Sequence, residues 1–204
     1  GDFILSQVNL DSLWTVWNDT TQADTSRLKS IHLYSKQTIV SEPDLANKYI
    51  EKALKLSLKT SYSKWTAEFY LLRGSYHNIL ANYDKSIKSF LDASDLFVKI
   101  EDTLGFARCY NNIGVTYFNL SRYNESIEYF EKALIFFKNQ EKINTVLFNI
   151  ANIYLRQGNN FKALDTYKKC LIFFEESGNS FLKAAAYNNL GIIYNNEGYY
   201  ENSL

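Results

Sequence analysis

One segment recurs along this chain at a nearly fixed interval. The stretches 44–54, 84–94 and 124–134 carry Ala53, Ala93 and Ala133 at equivalent places, with an interval of 40 each time, and a fourth copy puts Cys170 there after 37 more. A period in this range means stacked supersecondary units, each burying its apolar face on the next, and not a globule around one catalytic pocket. The repeat points to a binding scaffold and leaves its ligand unnamed.

The unit at 107–137 reads Tyr110-x-x-Ile113-Gly114-x-x-Tyr117, then Tyr123, Ser126, Ile127, Phe130, Ala133 and Leu134. Apolar residues at helical spacing fill its first half, a break falls at Leu120-Ser121-Arg122, and a second amphipathic helix follows. The following unit gives Leu147-x-x-Ile150-Ala151-x-x-Tyr154, then Gly158, Ala163, Tyr167 and Cys170, and the fifth Tyr187-x-x-Leu190-Gly191-x-x-Tyr194, Gly198 and Tyr200. The second unit has Tyr70-x-x-Arg73-Gly74-x-x-His77, Tyr83, Ser86, Phe90 and Ala93. In the first, Leu33-Tyr34 precedes a clear helix with Pro43, Ala46, Ile50, Ala53 and Leu54; Pro43 suits a first turn, where its missing N–H costs nothing.

This pattern resembles the tetratricopeptide repeat. The resemblance implies an all-α fold, a right-handed α-solenoid of about five helix-turn-helix units with the last one truncated. The minimal unit of that family has about 34 residues, so the longer period of this chain predicts helices longer by about a turn. The predicted helices span 25–40, 44–59, 63–80, 83–100, 102–119, 122–138, 142–157, 160–176 and 180–196. Gly74, Gly114, Ala151 and Gly191 are expected where two helices of one unit approach closely, with the large aromatics filling gaps between units. Residues 1–24 form an N-terminal segment and 25–204 the array. A short capping helix at 9–18 places Trp14 and Trp17 one turn apart over the open face of the first unit.

Composition narrows the function classes. Lys plus Arg and Asp plus Glu are 22 each, which removes the basic footprint of a nucleic-acid binder. No run of 18 apolar residues occurs, so no membrane contact is expected within this segment. Cys109 and Cys170 read as small core residues. His32 and His77 lack Cys or carboxylate neighbours at metal-ligand spacing, and no phosphate loop or nucleophile motif is present. The reading is therefore non-catalytic, without metal or cofactor.

The strongest functional pattern is a series of asparagines. Asn112, Asn149 and Asn189 each lie two places before the small residue of a first helix, at intervals of 37 and 40. An amide can donate to a carbonyl and accept from an N–H. In superhelical tetratricopeptide proteins asparagines at this place line the concave groove and hold peptide backbones, and the resemblance carries that role to these three. Asn111, Phe118, Asn119, Phe148 and Asn152 are expected beside them, with Arg156, Asn188, Ile192 and Asn195 further along. This lining suits a peptide or protein segment with a few apolar anchors. The alternative is that the asparagines bond between neighbouring helices.

The segment Leu10-Asp11-Ser12-Leu13-Trp14-x-x-Trp17-Asn18-Asp19, with Gln22 to Leu28, resembles the opening of certain bacterial signalling proteins. There an exported array precedes a membrane helix and a nucleotide cyclase, histidine kinase or DNA-binding domain. The apolar Phe3-to-Gln7 stretch would suit the tail of a signal peptide, and the stop at Leu204 inside a helix suits a piece of a longer chain. The expectation is an extracytoplasmic sensory or scaffolding region tethered to a membrane protein. The alternatives are a cytoplasmic assembly scaffold, or the regulatory arm of an enzyme whose catalytic domain lies beyond Leu204. Leu190, Ile193 and Tyr194 are expected to leave an apolar face open to homo-oligomerisation.

Overall fold

The computed structural model describes residues 9–196, and every regular element among them is an α-helix. They are α1 (Leu10–Asn18), α2 (Asp24–Thr38), α3 (Pro43–Lys59), α4 (Ser63–Ile79), α5 (Tyr83–Lys99), α6 (Thr103–Asn119), α7 (Tyr123–Leu134), α8 (Gln140–Arg156), α9 (Asn160–Glu176) and α10 (Ser180–Asn196). The chain divides into two compact units, Gly1–Cys109 and Tyr110–Leu204. Phe3 to Gln7, and the second half of the fifth repeat, lie outside the described residues.

The period has a simple origin. The helices α3, α4, α5 and α6 have 17 residues each. Links of three follow them, at 60–62, 80–82, 100–102 and 120–122. Two helices and two links make one period. Each three-residue link turns through one left-handed residue: Ser61, Ala81, Glu101 and Ser121 at φ 57°, 55°, 58° and 57°, then Gly158 and Gly178 at 71° and 70°. The next N–H reaches back to a carbonyl of the last helical turn, Tyr62 to Ser57 at 3.0 Å, Asn82 to His77 at 2.8 Å and Asn159 to Tyr154 at 2.8 Å. This closure satisfies carbonyls that a helix end would otherwise orphan.

The shorter interval before Cys170 comes from α7. It was expected to reach 138 but has 12 residues and stops at Leu134. The Phe136 and Phe137 N–H groups both turn back to the Ala133 carbonyl, at 3.1 and 3.2 Å. Phe137 is buried, so the chain leaves the helix while this ring stays in the core. Asn139 then caps α8, its Oδ1 accepting from the Lys142 N–H at 3.0 Å.

In the first unit α1 packs on α2, α2 on α3 and α4, and α4 on α5. Trp17 is buried, with the Arg27 guanidinium 5.3 Å above its ring. Trp14 is more exposed and packs on Tyr49 and Tyr34, at 4.9 and 6.1 Å between centroids. Leu28, Ile31, Ile50, Ala53 and Phe69 are fully buried. In the second unit α7 packs on α8, α8 on α9 and α9 on α10, around Ala151, Tyr167, Cys170 and Phe174. Leu190 and Ile193 belong to this core. The apolar face expected from them is thus already covered by their own chain.

The repeat glycines are holes for aromatic rings. A Cβ built on Gly74 would lie 2.5 Å from the Phe90 ring, and one on Gly114 2.7 Å from Phe130. These two rings fill space inside a helix pair, not the gaps between pairs expected from sequence. Beside each, a serine locks the fit: Ser86 Oγ donates to the Gly74 carbonyl at 2.9 Å and Ser126 Oγ to that of Gly114 at 2.7 Å. Burial pushes the Cys109 thiol up to about 12 and that of Cys170 to about 11, so both are inert core groups.

Candidate functional site

The asparagines of the sequence pattern all lie in the second unit, on α6, α8 and α10. Asn112, Asn149 and Asn189 are half-buried, but their surroundings differ. Asn112 Oδ1 accepts from Asn111 Nδ2 at 3.4 Å, and Asn111 Oδ1 is a buried acceptor without a partner. Among the described residues Asn149 has no side-chain partner. Asn189 is tied down: its Nδ2 donates to Asn152 Oδ1 and to the Tyr167 hydroxyl, both at 2.9 Å. The Tyr167 hydroxyl in turn donates to Asn152 Oδ1. Asn189 therefore does bond between neighbouring helices.

The remaining expected residues separate by exposure. Asn119, Arg156, Asn188, Ile192 and Asn195 are exposed, and Phe118 is half-buried against the Tyr123 ring. Phe148 is buried, with Tyr167 and Phe174 at 5.5 and 6.1 Å between centroids. It is a core residue and no part of an accessible lining. The sequence pattern marks Tyr167 only as a packing aromatic. Burial raises its phenol well above the usual range, so it remains a neutral hydroxyl.

The first unit holds a charged cluster that the pattern reading missed. Arg108 Nη1 and Nη2 donate to Glu68 Oε1 and Oε2 at 2.7 and 3.0 Å. His32 Nε2 lies 3.3 Å from Glu68 Oε2. Burial works against the Glu68 carboxylate, yet its contacts with His32 and Arg108 prevail and hold it at about 2. Glu68 and Arg108 occupy the same repeat position, one full period apart. A column-by-column comparison of the repeats would have paired them. Trp65, with its ring 5.8 Å from that of His32, lines an open cleft of about 500 Å³ together with Tyr62, Lys64 and Asp102.

Among the described residues no three His, Cys, Asp or Glu side chains group as metal ligands, and no helix is long and apolar enough to cross a membrane. What the geometry offers is surface: amides in register on consecutive first helices.

Residues 107–139 and 142–201 match the tetratricopeptide repeat family. The repeats are tetratricopeptide repeats. Among curated relatives, an uncharacterised protein ycf37 of Guillardia theta is 36% identical over 89 residues, covering 44% of this chain and 48% of the relative. The photosystem I assembly protein Ycf3 of Prochlorococcus marinus strain NATL1A is 30% identical over 115 residues, covering 56% and 63%. The chain thus spans about half to under two-thirds of the length of these relatives. Among solved structures, BtubC from P. vanneervenii superposes with TM-score 0.79 at 13% identity, over 95% of this chain and 82% of that one. A Rap conjugation gene regulator of plasmid pLS20, in complex with the Phr* peptide, gives 0.62 at 19%, over 93% and 59%. These structural likenesses establish the tetratricopeptide solenoid fold. The relatives overturn one expectation. The Ycf3 relatives are named as assembly proteins and not as exported signal transducers, and this overturns the extracytoplasmic, membrane-tethered placement.

Proposed function

We propose that this tetratricopeptide protein-interaction module serves as a non-catalytic assembly scaffold, holding an extended segment of a client protein on the amide-rich face of α6, α8 and α10. The observation that carries this is the register of Asn112, Asn149 and Asn189 on consecutive first helices, each half-buried, with Asn149 unpartnered among the described residues. Amides so placed can bond a backbone whatever its sequence, and exposed Ile192 supplies an apolar contact. The name of the Ycf3 relatives, photosystem I assembly protein, favours assembly over sensing.

The test is binding of an array of short random-sequence peptides by the wild type and by the Asn112→Ala, Asn149→Ala, Asn189→Ala triple variant. Each backbone hydrogen bond lost costs about 0.5–1.5 kcal/mol, so the triple variant should bind at least about tenfold more weakly. Equal binding by a folded triple variant refutes the proposal. A second reading, the regulatory arm of a larger signalling protein, draws on the likeness of Leu10 to Leu28 to the opening of such proteins. It predicts that the bound segment alters the activity of a domain joined to this one.

A further inference from the structure

The open cleft of about 500 Å³ in the first unit lies at the end where α2 and α4 begin and the link 100–102 leads into α6. Thr25 comes from the first turn of α2, Tyr62 from the link before α4, and Lys64 and Trp65 from the first turn of α4. Ile100 and Asp102 come from the link before α6. The cleft is not a property of the repeat. One period on, Lys64 becomes Leu104 and Trp65 becomes Gly105. A Cβ on Gly105 would run into the Phe97 ring, so there α5 supplies the aromatic. On α3 the residue in the place of Phe97 is Ser57, and the ring is supplied by Trp65 instead.

The walls carry unused polar groups on an apolar ground. The Trp65 ring is held from behind by His32 and Phe69, at 5.8 and 6.4 Å between centroids. Its indole N–H has no partner among the described residues and is not one of the buried polar atoms left without one, so it reaches solvent. Asp102 Oδ1 accepts from the Gly105 N–H at 2.8 Å. Its Oδ2 has no partner among the described residues and reaches solvent on the same ground. Lys64 is exposed and joins no ion pair among them. A cation and a carboxylate thus line one cleft without pairing with each other.

Those charges select the ligand. A simple cation would meet Lys64, and a phosphate would meet Asp102. A neutral sugar would leave both charges unmatched while shielding them from water. A peptide terminus brings only one of the two charges needed. A molecule with an ammonium and a carboxylate on one carbon matches both, and an apolar body on that carbon finds the indole and Ile100. We propose that this cleft binds a free α-amino acid with an aromatic or large apolar side chain, Asp102 Oδ2 taking its ammonium and Lys64 its carboxylate. The Trp65 N–H is a further donor to that carboxylate. The cleft belongs to the first unit and the asparagine series to the second, so this site does not depend on the client-binding reading.

The experiment uses the full chain with ¹⁵N-tryptophan and follows the indole N–H signals while L-phenylalanine is added. Trp65→Phe identifies the signal of Trp65. Phenethylamine, which lacks the carboxylate, and 3-phenylpropionate, which lacks the ammonium, are titrated in parallel, with glucose as a neutral probe. On the wild type phenylalanine should shift the Trp65 signal and bind about fivefold or more tighter than either analogue, as one partly exposed ion pair allows. In Lys64→Gln the advantage over phenethylamine should vanish while that over phenylpropionate stays. In Asp102→Asn, whose side-chain oxygen still caps α6, the reverse should hold. Melting curves check that both variants keep their fold. No shift of the Trp65 signal up to about 10 mM phenylalanine overturns the site. Equal binding of phenylalanine and its analogues, or an advantage that neither variant removes, overturns the roles of Lys64 and Asp102. Tighter binding of glucose than of phenylalanine overturns the ligand class.

Discussion

Replacing Gly114 by leucine tests the packing register of the whole array. A Cβ at this position would stand 2.7, 2.8 and 3.1 Å from Cδ1, Cε1 and Cγ of Phe130, where ordinary contact begins near 3.4 Å. The ring would have to retreat by about 0.7 Å, the difference between 3.4 and 2.7 Å. It has little room, being 1% exposed, and the Ser126 hydrogen bond to the Gly114 carbonyl holds the two helices at their present separation. Overpacking of this kind costs about 1–3 kcal/mol. Leucine returns up to about 1 kcal/mol through its better helix propensity, but its three further carbons also need space, which puts the net loss near about 2 kcal/mol. For a chain of this size that is a fall of about 4–8 °C in melting temperature, read by far-ultraviolet circular dichroism. Phe130→Leu in the same chain should restore part of the loss, because the clash has a single partner. An unchanged melting temperature, or a double variant whose losses simply add, would refute the packing of Phe130 over Gly114.

Three further outcomes follow from the backbone turns and the Glu68 cluster. Ala81 is exposed at φ 55°, a conformation costing an L-residue roughly 1–2 kcal/mol; Ala81→Gly should therefore raise stability by about 0.5–1 kcal/mol in urea unfolding after the glycine entropy term. Gly158→Ala, where no atom crowds the new methyl but φ is 71°, should lose about 1 kcal/mol. Glu68 is held at about 2 against an ordinary 4.5. Its contribution is complete above about pH 4.5 and disappears as pH falls toward 2, about 3 kcal/mol across that window. In Glu68→Gln, the plot of urea-derived stability against pH should lose that slope; an unaltered slope would show that other carboxylates carry the acid response.

Much of the fold was legible because small and large residues recur in register. Ala53, Ala93, Ala133 and Cys170 are all fully buried, and Pro43 does begin α3. The early end of α7 was hidden because Ile135, Phe136 and Phe137 read as one more apolar turn. Only the turned-back N–H groups and the Asn139 cap reveal the break. The left-handed Ser61, Ala81, Glu101 and Ser121 were equally opaque, since nothing in a serine or alanine announces positive φ. Among the candidate site residues, spacing found the asparagines but not their partners. Whether an amide faces solvent or a buried phenol depends on a residue from another helix, and Tyr167 differs from Phe130 by one oxygen. Glu68 and Arg108 lie outside the small and aromatic columns that define the repeat, and their complementarity is visible only in a third.

The most direct test of the account is a side-chain amide spectrum of the full chain carrying ¹⁵N-asparagine, titrated with the array-selected peptide. The account predicts shifts at Asn112, Asn149 and Asn189 on the first helices, and none at Asn124 and Asn160 on the second helices α7 and α9. Shifts at Asn124 and Asn160, with Asn149 and Asn189 unmoved, would contradict it.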